Sequence, residues 1–583
     1  MADIKIGKQD EIGLEHLDRV DSKDSQHRNI VSEDAKHLNG YWGSPRLVGS
    51  LAAAILLANS CYIGYGMPAG ILNVINADIG PSSNIYLITL VYSLFMGVLH
   101  LFFARLSDVV GRRYFLIGGQ LFGVIGSIIC AKGNSVDVLI VGSALAGTGG
   151  AAGLLYPVVI HELIPNKHRH WGQAGVTLSV LPTLGFGAAI ARTMVAHTSV
   201  GWRGVYWLNV AVSGLSAVLF LTCYFPPNFH MINSRMTKWQ EVKALDYGGL
   251  LLYFAGLILV ILGFTWAQGT YAWQSAQVLA SLLVGGITLV GFALYEVYMP
   301  LKQPLLPVRL FKIRNITASI FIGSTMQMIW TVSLVFWPIQ INALFTTDEV
   351  TIGLLSCAPG IALAMGELIF APLFRTLGHL KWQLVTASSM TAIFGAAMAA
   401  VDEERRDMGI AFTSLAGLAV GWVELVTIVI TGLVAPPHDI GVAQGFLGAT
   451  RAVFGTVAVS IYIAIYGNRL TAYLPQEIIP AVENAGLPKS SLPDLLAAME
   501  NGTAAALEAV SGMNDEILGA MALATKHAYA HAFQIVYLAT LAFTGIGLIA
   551  SFFITDIKEF LTDYVNKTIH RPNIGSKTAT ADV

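Results

Sequence analysis

The chain has 583 residues, 55% of them hydrophobic and only 12% charged, with a mean hydropathy of +0.63. A soluble fold of this length needs far more surface charge, which excludes an ordinary globular protein and points to a multi-pass membrane protein set in a lipid bilayer. The net charge of −2 gives no general attraction to nucleic acid, so no such partner is expected.

Residues 1–45 are polar and charge-rich and read as a disordered tail. The first apolar run begins near Leu47 and is too long for the core of a cleavable signal, so it reads as a first transmembrane helix. At roughly 20 mostly apolar residues per bilayer crossing, fourteen runs qualify. They lie near 47–72, 86–104, 114–131, 136–160, 172–194, 203–225, 247–266, 277–297, 317–341, 350–373, 384–401, 409–434, 440–466 and 531–555. Span 11 is short, and spans 12 and 13 are separated only by Pro436-Pro437-His438-Asp439. Segment 468–526 is rich in Ala, Leu and Glu with proline breaks and reads as an outer loop carrying short helices. Residues 556–583 form a second polar tail. All four cysteines, Cys61, Cys130, Cys223 and Cys357, lie within apolar runs without metal-type spacing and read as packing or lipid-facing residues.

Orientation follows from charge. With the N-terminus in the cytoplasm, 25 of the 34 Lys and Arg fall on the inner side and 7 on the outer, while Arg192 and Arg451 lie inside spans. This asymmetry places both termini in the cytoplasm and requires an even number of spans, which twelve would satisfy as well as fourteen. Asn501-Gly502-Thr503 is then a glycosylation acceptor on the outer side, whereas Asn315 and Asn566 head similar triplets on the wrong side. The plasma membrane is the expected location, with the vacuolar membrane as the alternative.

Between spans 2 and 3 runs Ala104-Arg105-Leu106-Ser107-Asp108-Val109-Val110-Gly111-Arg112-Arg113. Charges packed this tightly at a membrane edge need a structural reason. Gly111 suits the positive-φ reversal of a short turn, and an acid and a base four residues apart can pair with each other or with a helix end. The stretch resembles the loop signature of the major facilitator superfamily, with Ala104 replacing its first glycine. The resemblance implies two six-helix halves, and faint self-similarity agrees. Residues 104–112 align with 371–379, and 143–147 with 414–417, at offsets of 267 and 270. Spans 1–6 thus match spans 9–14, and spans 7 and 8 are an inserted pair.

Further stretches resemble the fourteen-span drug:proton antiporter branch: Gly201-Trp202-Arg203-Gly204-Val205-Tyr206-Trp207-Leu208-Asn209, Leu245-Asp246-Tyr247-Gly248-Gly249, Tyr271-Ala272-Trp273 and the run Pro304 to Phe311. Within that branch, Glu162-Leu163-Ile164-Pro165-Asn166-Lys167-His168-Arg169 is similar to the fungal trichothecene efflux pump group, whose relatives include siderophore-iron transporters. Ser143 stands where the antiporters carry a span-4 arginine, and Leu181 to Gly187 is a loose version of their span-5 signature. The expected fold class is therefore an all-α integral membrane protein with the major facilitator fold and fourteen transmembrane helices. The expected division is a tail (1–45), a six-helix half (46–226), an inserted pair with its preceding loop (227–300), a second half (301–555) and a tail (556–583).

Ionisable side chains at membrane depth are costly and usually face a cavity or a partner. Glu424, Arg451 and Glu367 are the proton-coupling candidates, and the residues alone leave open whether Glu424 and Arg451 form a structural ion pair or Glu424 carries the proton. Asn59, Tyr62, Arg192, Gln327, Trp330 and Gln340 are candidates to line a cavity for a bulky apolar ligand, against the plainer reading that each packs helices. By resemblance, Asp108, Gly111 and Arg112 would latch the halves together in the outward-open state. His161-Glu162 lacks the second histidine of a zinc-protease motif, since position 165 is Pro165, so no metal site is expected there. With no phosphate-binding G-x-x-x-x-G-K-[ST] loop and no nucleophile–base constellation, neither an ATP-driven pump nor an enzyme is expected, and no cofactor is implied. The expected function is export of a hydrophobic toxin or drug by a monomeric secondary transporter driven by inward proton flow. A siderophore-iron importer of the same fold is the alternative, followed by a non-transporting membrane sensor, against which the short tails weigh.

Overall fold

A computed structural model gives the protein's structure. It describes residues 44–561 except 81, 83, 84, 86, 227–245, 268–270, 300, 302–303, 437–438, 502–509 and 558–559. The N-terminal tail to residue 43, most of the C-terminal tail and the last two residues of the Asn501 acceptor triplet lie outside the described residues.

Local chemistry sets the helix starts. In α1 (Pro45–Ala69) the Ser44 hydroxyl accepts from the Leu47 N–H at 3.2 Å, and Pro45 occupies the first turn, where a missing N–H costs nothing. Then come α2 (Leu72–Ile79), α3 (Leu87–Val110), α4 (Arg112–Lys132), and α5 (Val136–Gly153) with α6 (Tyr156–Leu163), two pieces of one span. Between α3 and α4, Gly111 takes φ 111°, a conformation that a side chain would strain. α7 (Arg169–Gly185) and α8 (Gly187–His197) form a span bent by 47°, followed by α9 (Arg203–Cys223). Next are α10 (Tyr247–Trp266), α11 (Ala276–Tyr298), the short α12 (Arg309–Lys312), and α13 (Arg314–Gln340), which ends in a π-helical turn at Ile341–Phe345. The chain closes with α14 (Glu349–Ser356), α15 (Ala358–Thr376), α16 (Leu380–Ala397), α17 (Arg406–Val434), α18 (Ile440–Asn484), α19 (Leu492–Asn501) and α20 (Asp515–Ser551).

Among the described residues, thirteen helical segments are long and apolar enough to cross a membrane, and the bent α7–α8 pair makes fourteen. No strand occurs among the described residues. The all-α, fourteen-span fold class is thus borne out. With fourteen spans, the start of α1 and the end of α20 fall on one side of the bundle, here termed the terminal face, and the other side is the opposite face.

One expectation needs correcting. Segment 468–526 does carry the short helix α19, but long helices enter it from both sides, because α18 continues through Pro475 and Pro480 and α20 begins well before its apolar run. A proline removes one backbone bond but does not forbid continuation where packing compensates. Here Ile478 and Val482, 1% and 0% exposed, join Leu495, Val510 and Ile517 in a small core of their own beyond the membrane spans.

α10 and α11 pack chiefly on each other and touch the rest of the bundle mainly through α3 and α18. Their outward residues stay open, with Leu251 at 70% and Ile287 at 71% exposure, as a lipid-facing pair requires. α17, by contrast, is buried along most of its length and forms the floor on which the second half assembles.

Candidate transport site

A cavity of about 200 Å³ lies at the middle of the bundle, lined by Tyr62 and Tyr65 of α1, His100 of α3, Tyr156 of α6, Gln327 and Trp330 of α13, Glu424 of α17 and Gln444 and Arg451 of α18. Close helix packing builds its walls, since a side chain at Gly448 would run into the His100 ring and one at Gly97 would lie 3.2 Å from Ala452. Arg451 is held by Glu424 at 2.6 Å and by the Gln327 Oε1 at 2.9 Å. The two charged side chains are 16% and 12% exposed, so the pair is largely desolvated yet faces the cavity. A larger groove of about 460 Å³ opens between α1, α6 and α7, but its walls are mostly aliphatic and glycine residues, and it contains none of the charged residues of the central cavity.

Glu367, 3% exposed on α15, accepts hydrogen bonds from Thr177 Oγ1 and from Gln173 Nε2, the latter at 3.2 Å. Both donors sit on α7, so this carboxylate ties the second set of six spans to the first at membrane depth. Gln173 also donates to the Tyr156 hydroxyl at 3.1 Å, which connects the tie to the cavity wall.

At the terminal face the two sets meet along α3 and α18. The Asp108 carboxylate accepts from the Val442 N–H at 3.0 Å, in the first turn of α18, where the helix end is electropositive. Any side chain at Gly441 would collide with that carboxylate. Asp108 also pairs with Arg112, which reaches Glu162 of α6 at 3.1 Å, and the Tyr224 hydroxyl donates to Glu162 at 3.3 Å. Alongside, the Gln444 amide donates to His161 Nδ1 at 3.2 Å, and Arg169 donates to the Gly432 carbonyl at 2.6 Å. Asp439, just before α18, is bonded by Arg309 at 2.8 Å. A layer of polar contacts, several of them between the halves, thus gathers at the terminal face.

Of the sequence-predicted residues, the structure brings Tyr62, Gln327, Trp330, Glu424 and Arg451 into the cavity and sets Glu367 in the adjacent tie. Three lie elsewhere. Asn59 donates to Ile55 O and accepts from Thr183 at 2.9 Å, which fastens α1 to α7. Arg192 lies on α8 against Gly353 of α14. Gln340 accepts from the Tyr537 hydroxyl at 3.0 Å and joins α13 to α20. Sequence reasoning passed over Gln173, Thr177, His100 and Gln444, which are ordinary polar residues within apolar runs, and it weighed His161 and Glu162 as a metal motif and as part of a family signature but gave them no place in the seam. At the opposite face, hydrogen bonds from Trp202 and Arg203 at 2.9 and 3.0 Å hold the Asp78 carboxyl below its ordinary value.

Comparison with known proteins agrees with this fold. The human organic anion transporter MFSD10 (TETRAN) superposes with a TM-score of 0.53 at 11% identity, over 88% of this chain and 99% of that one. The major facilitator superfamily proton:xylose symporter XylE superposes at 0.50 and 14% identity, over 73% and 90%. In sequence, the trichothecene efflux pump TRI12 of Fusarium sporotrichioides is 28% identical over 560 residues, 94% of this chain and 93% of the relative. The family model described as fungal trichothecene efflux pump (TRI12) matches residues 10–583. With nearly its whole length matched, the chain belongs to the fungal trichothecene efflux pump family and is a major facilitator efflux transporter rather than an enzyme.

Proposed function

We propose that the protein exports a hydrophobic, oxygen-bearing toxin of the trichothecene kind, in exchange for protons, by alternating access to the central cavity. The observation that carries this reading is the Glu424–Arg451–Gln327 group on the cavity wall, beside the buried inter-half carboxylate of Glu367. Protonation of Glu424 removes the charge that holds Arg451, and the guanidinium is then available to an oxygen of the ligand. Glu367 is the second proton candidate, and protonation there weakens its bonds to Thr177 and Gln173 and loosens the halves. The cavity of about 200 Å³ is smaller than the roughly 300–1,000 Å³ of drug-sized ligand sites, so the halves must part to admit a bulky ligand.

In this reading the terminal face is cytoplasmic, with both termini inside, in keeping with the Lys and Arg bias. Asp108, Gly111 and Arg112 act as the cytoplasmic latch, shut while the site faces outward. The chain works as a monomer in the plasma membrane, as a six-span half (46–226), an inserted pair (227–300) and a second half (301–555). The test is accumulation of a labelled trichothecene in cells with and without the protein, each with and without a protonophore. Lower accumulation that the protonophore abolishes supports proton-driven export. Unchanged accumulation together with uptake of a ferric siderophore overturns it in favour of import.

A further inference from the structure

The inserted helices carry polar chemistry that lipid-facing helices do not need. Asp246 at the start of α10 and Glu296 near the end of α11 are 9% and 7% exposed. One oxygen of each is engaged locally, since Asp246 Oδ1 accepts from Gly249 N–H at 2.8 Å and Glu296 Oε1 accepts from Leu306 N–H at 3.1 Å. The other oxygens, Asp246 Oδ2 and Glu296 Oε2, are buried without a hydrogen-bond partner among the described residues, and so is Arg105 Nε of α3. Arg105 and Asp246 line one small cavity of about 30 Å³, room for a water molecule, and Glu296 is close enough to interact with both by charge. On its far side Arg105 stands 3.8 Å from Asp439, too long for a tight pair, while Arg309 binds Asp439 at 2.8 Å. Leaving buried polar atoms this poorly matched costs stability, so their retention calls for a reason.

We propose that the inserted pair tunes the terminal-face seam by sharing Arg105: Asp246 and Glu296 draw the guanidinium back from Asp439 and keep the contact between α3 and α18 weak enough to open. This rests on the reading that the seam opens during transport. Arg105, Asp246 and Glu296 are positioning residues and touch no ligand. Neutralising both carboxylates frees Arg105 to close on Asp439, so the seam stays shut longer.

The experiment uses the full chain in inside-out vesicles with Ala443→Cys, a site on α18 that is 1% exposed in the closed seam. Its labelling by a charged maleimide is measured from the terminal face, with the chain lacking Ala443→Cys as the thiol background. Asp246→Asn with Glu296→Gln keeps both acceptor oxygens for Gly249 and Leu306, so folding is preserved. Labelling should slow about three- to tenfold, and the same pair of changes should do nothing in an Arg105→Gln background. Unchanged or faster labelling overturns the proposal, as does slowing that persists without Arg105. A parallel Asp108→Asn arm reads the seam itself: no change there would show that the seam does not gate access, and the inference falls with it.

Discussion

Removing one partner of the cavity ion pair should separate stability from transport. In Glu424→Gln, Arg451 keeps its bond to Gln327 but loses the carboxylate at 2.6 Å. With charge centres about 4 Å apart and an effective dielectric constant near 20, the lost attraction is about 4 kcal/mol. Since the side chains are 12–16% exposed, solvent returns part of this, and a net cost of about 2–3 kcal/mol is expected. The double variant Glu424→Gln with Arg451→Met removes the stranded charge and should recover most of the loss, because a neutral replacement of a buried pair is close to neutral in energy. Thermal unfolding of the purified proteins reads the first comparison, and protonophore-sensitive efflux from vesicles reads the second. The single variant should be the least stable of the three proteins, while both variants lose proton-driven efflux. A double variant that still exports with full protonophore sensitivity would refute the role given to this pair. Equal stability of the single and double variants would refute the electrostatic argument.

Asp108→Asn withdraws a carboxylate from the first turn of α18, a charge–dipole term of roughly 0.3–2 kcal/mol, so thiol labelling of Ala443→Cys should rise about two- to thirtyfold. Glu367→Gln retains an acceptor for Thr177 and Gln173, so unfolding temperature should barely move, while the pH dependence of efflux should flatten. Asp78 has its carboxyl held below 3.8, so its contribution is present at neutral pH and is lost as pH falls through the depressed value. The stability gap between wild type and Asp78→Asn should therefore narrow as pH falls below the ordinary carboxylate range, as followed by thermal unfolding across pH. Finally, an outer location for the opposite face predicts that Asn501→Gln removes an endoglycosidase-sensitive mobility shift.

The fold was legible because the bilayer imposes a rule that a sequence cannot hide: each crossing needs an apolar run, and charge is pushed into the loops. Helix starts agree with the apolar runs where a cap residue stands just before the run, at Ser44, Ser135 and Ser275, each of which accepts from the N–H three residues on. Boundaries were illegible where apolarity and helicity part company. α18 and α20 continue far past their apolar runs because Ile478, Val482, Leu495 and Ile517 bury one another there, and hydropathy alone does not report a helix that leaves the membrane.

The site divides along a similar line. Glu424, Arg451 and Glu367 stood out because a charge in an apolar run demands a partner, and the structure supplies partners on α18, α17 and α7. Gln340 and Asn59 look equally suitable in sequence, yet each is spent on a neighbouring helix, through Tyr537 and Thr183. An uncharged polar side chain costs too little to require a functional reason, so its burial says nothing about which neighbour it meets. Gln173 and Thr177 show the converse. They are ordinary residues of α7 until Glu367 arrives from 190 residues away in the case of Thr177, and only then do they become the donors that make a buried carboxylate tolerable. In a helical membrane protein, charge is therefore the part of a site that sequence reveals. The neutral residues that position the charge emerge only when the helices are packed, and at this site they come mostly from the opposite half.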